Sequence, residues 1–332
     1  MNMSALSTKT SGDNMKLIYL DPKTITAAQI SEIIDLVSKA FVDFNKSLTT
    51  NVHQDLMDEE FGDATIAAIA IKGIATSRDG FALLDGEDGR MVGVSYVDVN
   101  APGPNKVAEL GPVCSLSPGA GRKTFEAACQ HAEKLGFNVL VLQQVAANNR
   151  SFSLYAKVGF EAKHTCHYFG GFLSADSNDA DSGVSCTISE MTEKDVEECG
   201  ALFTAAYGYD CWDRRPSIVH QMAGEQPFPI LVARGADGEV VGYSTGFYLD
   251  GHQVTQSEDA FKALFRESSR IHKENHLPTP KFHNFMEYPS LVSWALAEKL
   301  ILLRTTVVMV KGPYNHTWPQ NGYVITPSIG GW

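Results

Sequence analysis

Hydrophobic and polar positions alternate in the same order twice along the chain. Residues 20–41, LDPKTITAAQISEIIDLVSKAF, pass from a short strand end through a threonine cap into an amphipathic helix. Residues 188–208, ISEMTEKDVEECGALFTAAYG, repeat that order, with Thr192 as the cap and Asp195 in the first turn. Residues 81–96, FALLDGEDGRMVGVSY, predict two strands around an Asp88–Gly89 turn, and residues 230–245, ILVARGADGEVVGYST, predict the same around Asp237–Gly238. The second half therefore reads as a diverged copy of the first.

After the first hairpin, residues 107–115 (VAELGPVCS) predict a strand, and a glycine cluster follows. A helix is expected from about 122 to 135, with Phe125, Ala128, Cys129, Ala132 and Leu135 on one stripe. Residues 138–145, NVLVLQQV, are apolar apart from a glutamine pair, as in a strand buried on both faces and reached by a parallel crossover. A short helix (151–158) and a strand from 160 to about 169 complete the half. The fold class expected is α/β with a mixed sheet.

Residues 173–185, LSADSNDADSGVS, are too polar to order themselves and read as a linker. They divide the chain into a domain over 15–172 and a second over 186–332, after a disordered N-terminus at 1–14. With 332 residues, 44% of them hydrophobic, the chain can bury a sizeable core in two domains. The net charge of −12, with no block of Lys or Arg, argues against a nucleic-acid partner and leaves room for a cationic substrate. Six cysteines without a C-x-x-C pair point to a reducing compartment. Residues 1–14 lack the apolar run of a signal peptide, and no stretch approaches the roughly 20 apolar residues of a membrane span. The expectation is a cytoplasmic protein with no membrane partner, a monomer or homodimer.

The glycine cluster opens SPGAGRKTFEAA (117–128), which has the look of a phosphate loop. An ATP-type loop needs G-x-x-x-x-G-K-[ST]. Here Arg122 separates Gly121 from Lys123, and Leu116 stands where the first glycine belongs, so that reading fails twice. A pyrophosphate needs only bare amides: a helix N-terminus leaves four unpaired N–H groups and about half a positive charge. Gly119 and Gly121 let the backbone approach the phosphates, and Arg122 and Lys123 add charge at the mouth. The plainer reading is a tight strand-to-helix turn with a solvated Arg–Lys pair.

The sequence after the buried strand, NNRSFSLYAKVGFE (148–161), favours the anion site. Taken with Leu116-Ser117-Pro118-Gly119-Ala120-Gly121, it resembles the GNAT superfamily of acyl-CoA-dependent N-acyltransferases. That family's loop reads Q/R-x-x-G-x-G/A, and its later motif reads N-x-x-A-x-x-x-Y-x-x-x-G-F. Asn148, Ser151, Tyr155, Gly159 and Phe160 stand at the matching spacing. Leu116 replaces the usual Gln or Arg, Pro118 removes an amide donor, and Ser151 replaces Ala.

The resemblance implies direct transfer of an acetyl group from acetyl-CoA to the amine of a small-molecule acceptor. It places the pantetheine arm along Val113, Cys114 and Ser115, as an added strand would lie, with a backbone amide there facing the oxyanion. The pyrophosphate falls to Gly119, Ala120, Gly121, Arg122 and Lys123, and Asn148 and Ser151 of the later motif also bind the coenzyme. Tyr155 matches the family's general acid, and Glu109 on the same strand as Val113 is the candidate base. The acceptor pocket falls within about 44–76, which includes the acidic Asp58, Glu59 and Glu60. The alternative function is an inactive acyl-CoA-binding or sensory protein.

In the second half, GHQVTQSEDAFKALF (251–265) still starts a helix at Ser257, but Glu258 and Asp259 stand where phosphates would lie. Residues 287–300 hold no tyrosine at the matching helix position, so the second domain is expected to be degenerate, without a CoA site. G-H-x-V at 251–254 and Pro327–Ser328 add a likeness to tandem GNAT proteins, and His252 reads as a turn histidine. No metal is expected. In HKENH (272–276) Lys273 stands where a zincin has Glu, so these histidines read as helix-end cations, and His164, Cys166 and His167 alternate along a strand.

Overall fold

In both halves the first strand leads into a helix whose start is closed by a reciprocal cap. The computed structural model describes residues 15–47, 64–99, 107–174, 186–207, 228–248, 251–313 and 323–326. The expected disordered N-terminus, residues 175–185 of the linker, Asp58, Glu59, Glu60, Pro327 and Ser328 lie outside the described residues. After β1 (Lys16–Leu20) comes α1 (Ala27–Ser47). The Gln29 amide N–H donates to Thr26 Oγ1, and the Thr26 N–H donates to Gln29 Oε1. Thr192 and Asp195 make the equivalent box before α5 (Val196–Tyr207).

The first half continues through α2 (Ala64–Ser77), β2 (Asp79–Leu84), β3 (Met91–Asp98), β4 (Val107–Ser115), α3 (Ala120–Lys134), β5 (Val139–Val145), α4 (Asn149–Val158) and β6 (Glu161–Gly170). The second runs β7 (Thr187–Glu190), α5, β8 (Leu231–Arg234), β9 (Val240–Ser244), β10 (Gln253–Thr255), α6 (Glu258–Glu274), β11 (Lys281–Phe285), α7 (Pro289–Ala297), β12 (Ile301–Lys311) and β13 (Val324–Thr326). The two expected hairpins are β2–β3 and β8–β9. Helix α3 starts two residues earlier than the apolar spacing predicts. Its stripe also ends earlier: Phe125, Ala128, Cys129 and Ala132 are buried, but Leu135 caps the helix and is 45% exposed. The Phe137 N–H bonds back to the Ala132 carbonyl, and Phe137 takes the inward place instead.

The main sheet has the order β1-β2-β3-β4-β5-β12-β6-β11, and only β4–β5 is parallel among its described pairs. A second sheet, β13-β10-β9-β8-β7, is antiparallel. Strand β5 is buried on both faces as its composition predicts: Leu140 and Leu142 pack with α3 and α4, Val139 and Val141 with the second half.

The halves are not merely adjacent, because each lends the other a strand. Strand β12 lies between β5 and β6, and β6 lies between β12 and β11. The exchange is symmetric about the Cys166–Thr306 pair. Val145 pairs with Thr306 as Phe285 pairs with Cys166. The Ala146 N–H donates to the Thr305 carbonyl, and the Met286 N–H donates to the Thr165 carbonyl. A single residue offset therefore relates the halves from β5–β6 to β11–β12. The polar run around residue 173 separates the two copies in sequence, while the sheet runs through both.

Burial corrects the reading of the first histidine of HKENH. His272 is fully buried with Nδ1 against the Pro278 carbonyl, and burial lowers its pKa, so it is neutral rather than a helix-end cation. His276 follows the helix with φ 53. His164 Nδ1 meets the Glu287 carboxylate at 2.8 Å. His252 is buried in the second half between the Tyr243 hydroxyl (2.9 Å) and the Thr245 hydroxyl (3.2 Å). Among the described residues no group of three or more His, Cys, Asp or Glu side chains is arranged to hold a metal ion. No described helix is long and apolar enough to cross a membrane.

Candidate active site at a parted pair of strands

The site begins where two parallel strands stop pairing. β4 and β5 are in register at Val107–Val139, Ala108–Leu140 and Glu109–Val141, and then diverge. β4 stays on β3 through a bulge: Val97 faces Leu110, but Ser95 faces Val113. Beyond the bulge, the edge of β4 that β5 has left faces a crevice.

A cavity of about 350 Å³ fills this crevice. Val113, Cys114 and Ser115 of β4 form one wall. Gly119, Gly121 and Arg122 at the start of α3, and Asn148, Arg150, Ser151, Leu154 and Tyr155 of α4, form the next. Ala40, Phe41 and Phe44 of α1 close the far side. Two helix N-termini thus converge on one space, and their dipoles favour a negative group there.

Local chemistry fixes each wall. Gly119, at φ 81, precedes α3 in the left-handed region, and no side chain caps the helix. A Cβ on Gly121 would come within 3.1 Å of Ser115 Oγ, so glycine permits the close packing of helix start on strand end. Ala120 is not on the cavity wall: it is buried against β3, where a Cβ on Gly93 would lie 2.9 Å from its own Cβ. The Thr124 and Ser95 hydroxyls, both buried, meet at 2.8 Å and lock α3 to β3. Arg122 reaches the wall with Nε held at 2.7 Å by Glu126. Lys123 is exposed and lies off it. On the other side, Asn148 Oδ1 accepts the Ser151 N–H at 3.1 Å and caps α4.

Tyr155 is the phenol on the cavity wall, and aromatic packing holds it there. Its ring lies 4.8 Å from that of Phe125 and 6.4 Å from that of Phe160, which fix its position from two sides. Burial raises the phenol well above its usual range, the neighbouring Cys114 adds to this, and a hydrogen bond from Ser151 opposes it. The hydroxyl therefore keeps its proton at neutral pH. Burial also pushes the Cys114 thiol up to about 12. A neutral thiol is a poor nucleophile, so the cysteine on the wall is not suited to carry a covalent acyl group.

Glu109 is not brought to this wall. Its carboxylate is buried before the strands part and accepts from Arg78 Nη1 at 3.1 Å. In this position the Glu109 carboxylate is engaged by Arg78 and lies off the cavity wall. Among the described residues no carboxylate lines the cavity. Sequence reasoning missed Arg150 and the α1 residues. Arg150 carried a signal: a basic residue in the first turn of a helix is unfavourable without an anion, as with Arg122. The α1 residues carried none, since their spacing is that of any core-facing stripe.

No family model matches the sequence. No curated protein matches it either. Solved structures do resemble the fold. A candidate acetyltransferase from Pyrococcus horikoshii aligns with a TM-score of 0.66 at 11% identity, over 98% of each chain. A GCN5-related N-acetyltransferase from Sphaerobacter thermophilus gives 0.57 at 11% identity, covering 93% of this chain and 99% of that one. The chain therefore has the GCN5-related N-acetyltransferase fold. It has it in tandem form: a tandem GNAT protein from the clavulanic acid biosynthesis pathway aligns at 0.53 and 14% identity, over 91% of this chain and all of that one (100%).

Proposed function

We propose that the chain is an N-acetyltransferase that moves an acetyl group from acetyl-CoA to a small-molecule amine by direct attack. One observation carries this: an uncapped glycine-led helix N-terminus, an unpaired strand edge and a buried, protonated tyrosine all face one cavity. The edge of β4 at 113–115 takes the pantetheine arm as an added strand. The starts of α3 and α4, with Arg122 and Arg150, take the pyrophosphate. The amine lone pair attacks the thioester carbonyl carbon, and a C–N bond forms. A β4 amide stabilises the oxyanion, the C–S bond breaks, and Tyr155 gives its proton to the departing thiolate. The proton lost by the nitrogen passes to solvent.

In this reading the second half keeps the fold without the coenzyme site. The offset that relates the halves puts Ala295 at the place of Tyr155, Asp259 at that of Gly119 and Phe261 at that of Gly121. Ser257 caps α6, with its Oγ accepting the Ala260 N–H at 3.2 Å. The Glu258 carboxylate accepts from Ser290 at the start of α7 and pairs with Lys262 at 3.2 Å, so a fixed anion stands between the two helix starts. Phe261 packs edge-on against Trp294 at 6.3 Å in the space the first half leaves open.

Calorimetric titration with acetyl-CoA, with ATP as the control, tests the reading. The expected result is saturation at one acetyl-CoA per chain, no heat from ATP, and amine-dependent release of CoA in a thiol assay. Saturation at two per chain would show a working second site. No heat with acetyl-CoA would remove the acetyltransferase assignment.

A further inference from the structure

We propose that Arg78 and Glu109 are positioning residues which together fix the bend in β4 and hold the crevice open. The inference rests on the acetyltransferase reading only for its consequence, not for its geometry.

Arg78 sits between the end of α2 and the start of β2, and its Nη1 is shared between two acceptors. It meets Glu109 Oε1 at 3.1 Å and the Gly111 carbonyl at 3.3 Å. Glu109 is the last β4 residue in register with β5, and Gly111 lies within the bulge that shifts β4 against β3. The guanidinium thus spans the point where pairing ends and the point where the strand turns. The next residues along, Val113 to Ser115, are the cavity wall.

Both side chains are buried, at 6% exposure each. A buried charge pair is seldom retained for stability alone, since an apolar pair of equal volume often does as well. Its geometry is what an apolar pair cannot copy: two hydrogen bonds from one planar group aim a carboxylate and a carbonyl in fixed directions. Without it the Gly111 carbonyl loses its guanidinium donor and the bent segment after Glu109 loosens. The edge on which an extended ligand has to hydrogen-bond is then no longer held in one place.

Hydrogen exchange on the ligand-free protein tests the clamp without coenzyme, and acetyl-CoA titration tests its consequence. In Arg78→Met, amides of residues 110–116 should exchange at least about tenfold faster while those of α3 and β2 stay unchanged. The acetyl-CoA Kd should rise about tenfold, the size of one lost hydrogen bond. Glu109→Gln still accepts from Arg78, and its exchange should stay within about threefold of the parent. The double variant Arg78→Met with Glu109→Leu removes both charges and guards against simple unfolding. Residues 110–116 should remain fast in it although its thermal midpoint recovers.

Uniformly faster exchange across the sheet, or full recovery of residues 110–116 in the double variant, would make the pair a mere charge neutralisation and overturn the proposal. So would a kcat loss of about a hundredfold in Glu109→Gln with unchanged exchange and KM, since that signature belongs to proton transfer. A parent protein that binds no acetyl-CoA would overturn the enzymatic reading alone, the exchange result still deciding the clamp.

Discussion

Tyr155→Phe should lower kcat by about a hundredfold to ten-thousandfold, the range a positioned general acid contributes, while acetyl-CoA affinity stays within about threefold. The change removes one hydroxyl and keeps the ring between Phe125 and Phe160. The stability cost is therefore about 1 kcal/mol, that of one hydrogen bond, and cannot account for a loss of this size. The Ser151 partner is left without its phenol, but the Asn148 cap on α4 does not depend on it.

The pH dependence follows from the sign of the shift. An acid works while it holds its proton, and burial raises the Tyr155 phenol. Its working form persists to higher pH than an ordinary phenol of pKa about 10 would allow. In the parent enzyme kcat should not fall between about pH 7 and about pH 9.5 on account of this group. A decline with a midpoint near pH 8 that disappears in Tyr155→Phe would mean that the site lowers the phenol below its ordinary value of about 10, and that it is not the buried acid described here. Equal kcat in parent and variant across that range would take Tyr155 out of the mechanism.

Much of this site was legible because it depends on local chemistry. Glycine spacing, a following helix pattern and an Asn cap seven residues before a tyrosine are properties of short stretches, and the first two specify backbone amides whatever surrounds them. The helix stripe at Phe125, Ala128, Cys129 and Ala132 was equally plain. What the sequence hid are the consequences of pairing at long range. In VAELGPVCS the Gly111–Pro112 pair marks a place where ladder pairing breaks, since proline has no N–H to donate, but nothing there says that Arg78, thirty-one residues earlier, meets Glu109 at that point. A carboxylate on a strand beside a site looks like a base until its partner is known, and that partner lay in another element. The strand exchange was hidden for the same reason. β6 and β12 carry the alternation any sheet strand would, and only their common register around Cys166 and Thr306 shows that the copies share one sheet. Leu135 illustrates the smaller error: its helical spacing was right, but the chain had already begun to turn.

Gly119→Asp should weaken acetyl-CoA binding by about ten- to a thousandfold, because it places in the first half the charge that the second half already carries. A carboxylate about 4 Å from one phosphate charge costs roughly 1–4 kcal/mol as the effective dielectric constant runs from that of water to that of a protein surface. Backbone strain works in the same direction but is smaller. Gly119 has φ 81, and Asp and Asn are the residues other than glycine that tolerate this region best. Gly119→Asn therefore separates the two effects, having the same shape and strain without the charge. The expected order of affinity is parent, then Asn by a small margin, then Asp by a large one, with the gap between Asn and Asp narrowing as salt rises. Thermal midpoints of the two variants should agree closely, since residue 119 faces the cavity rather than the core. If Asn and Asp weaken binding equally, no phosphate lies against this helix start, and the glycines serve only the turn. If neither weakens it, the coenzyme binds elsewhere on the chain. The second half offers the reciprocal comparison. Glu258 is held by Ser290 and Lys262, so the dipoles of α6 and α7 are already answered by a side chain, and an incoming phosphate would have to displace it. On this reading the same pair of helix starts would admit an external anion in one copy and supplies its own in the other, and a single carboxylate at residue 119 would convert the first case toward the second.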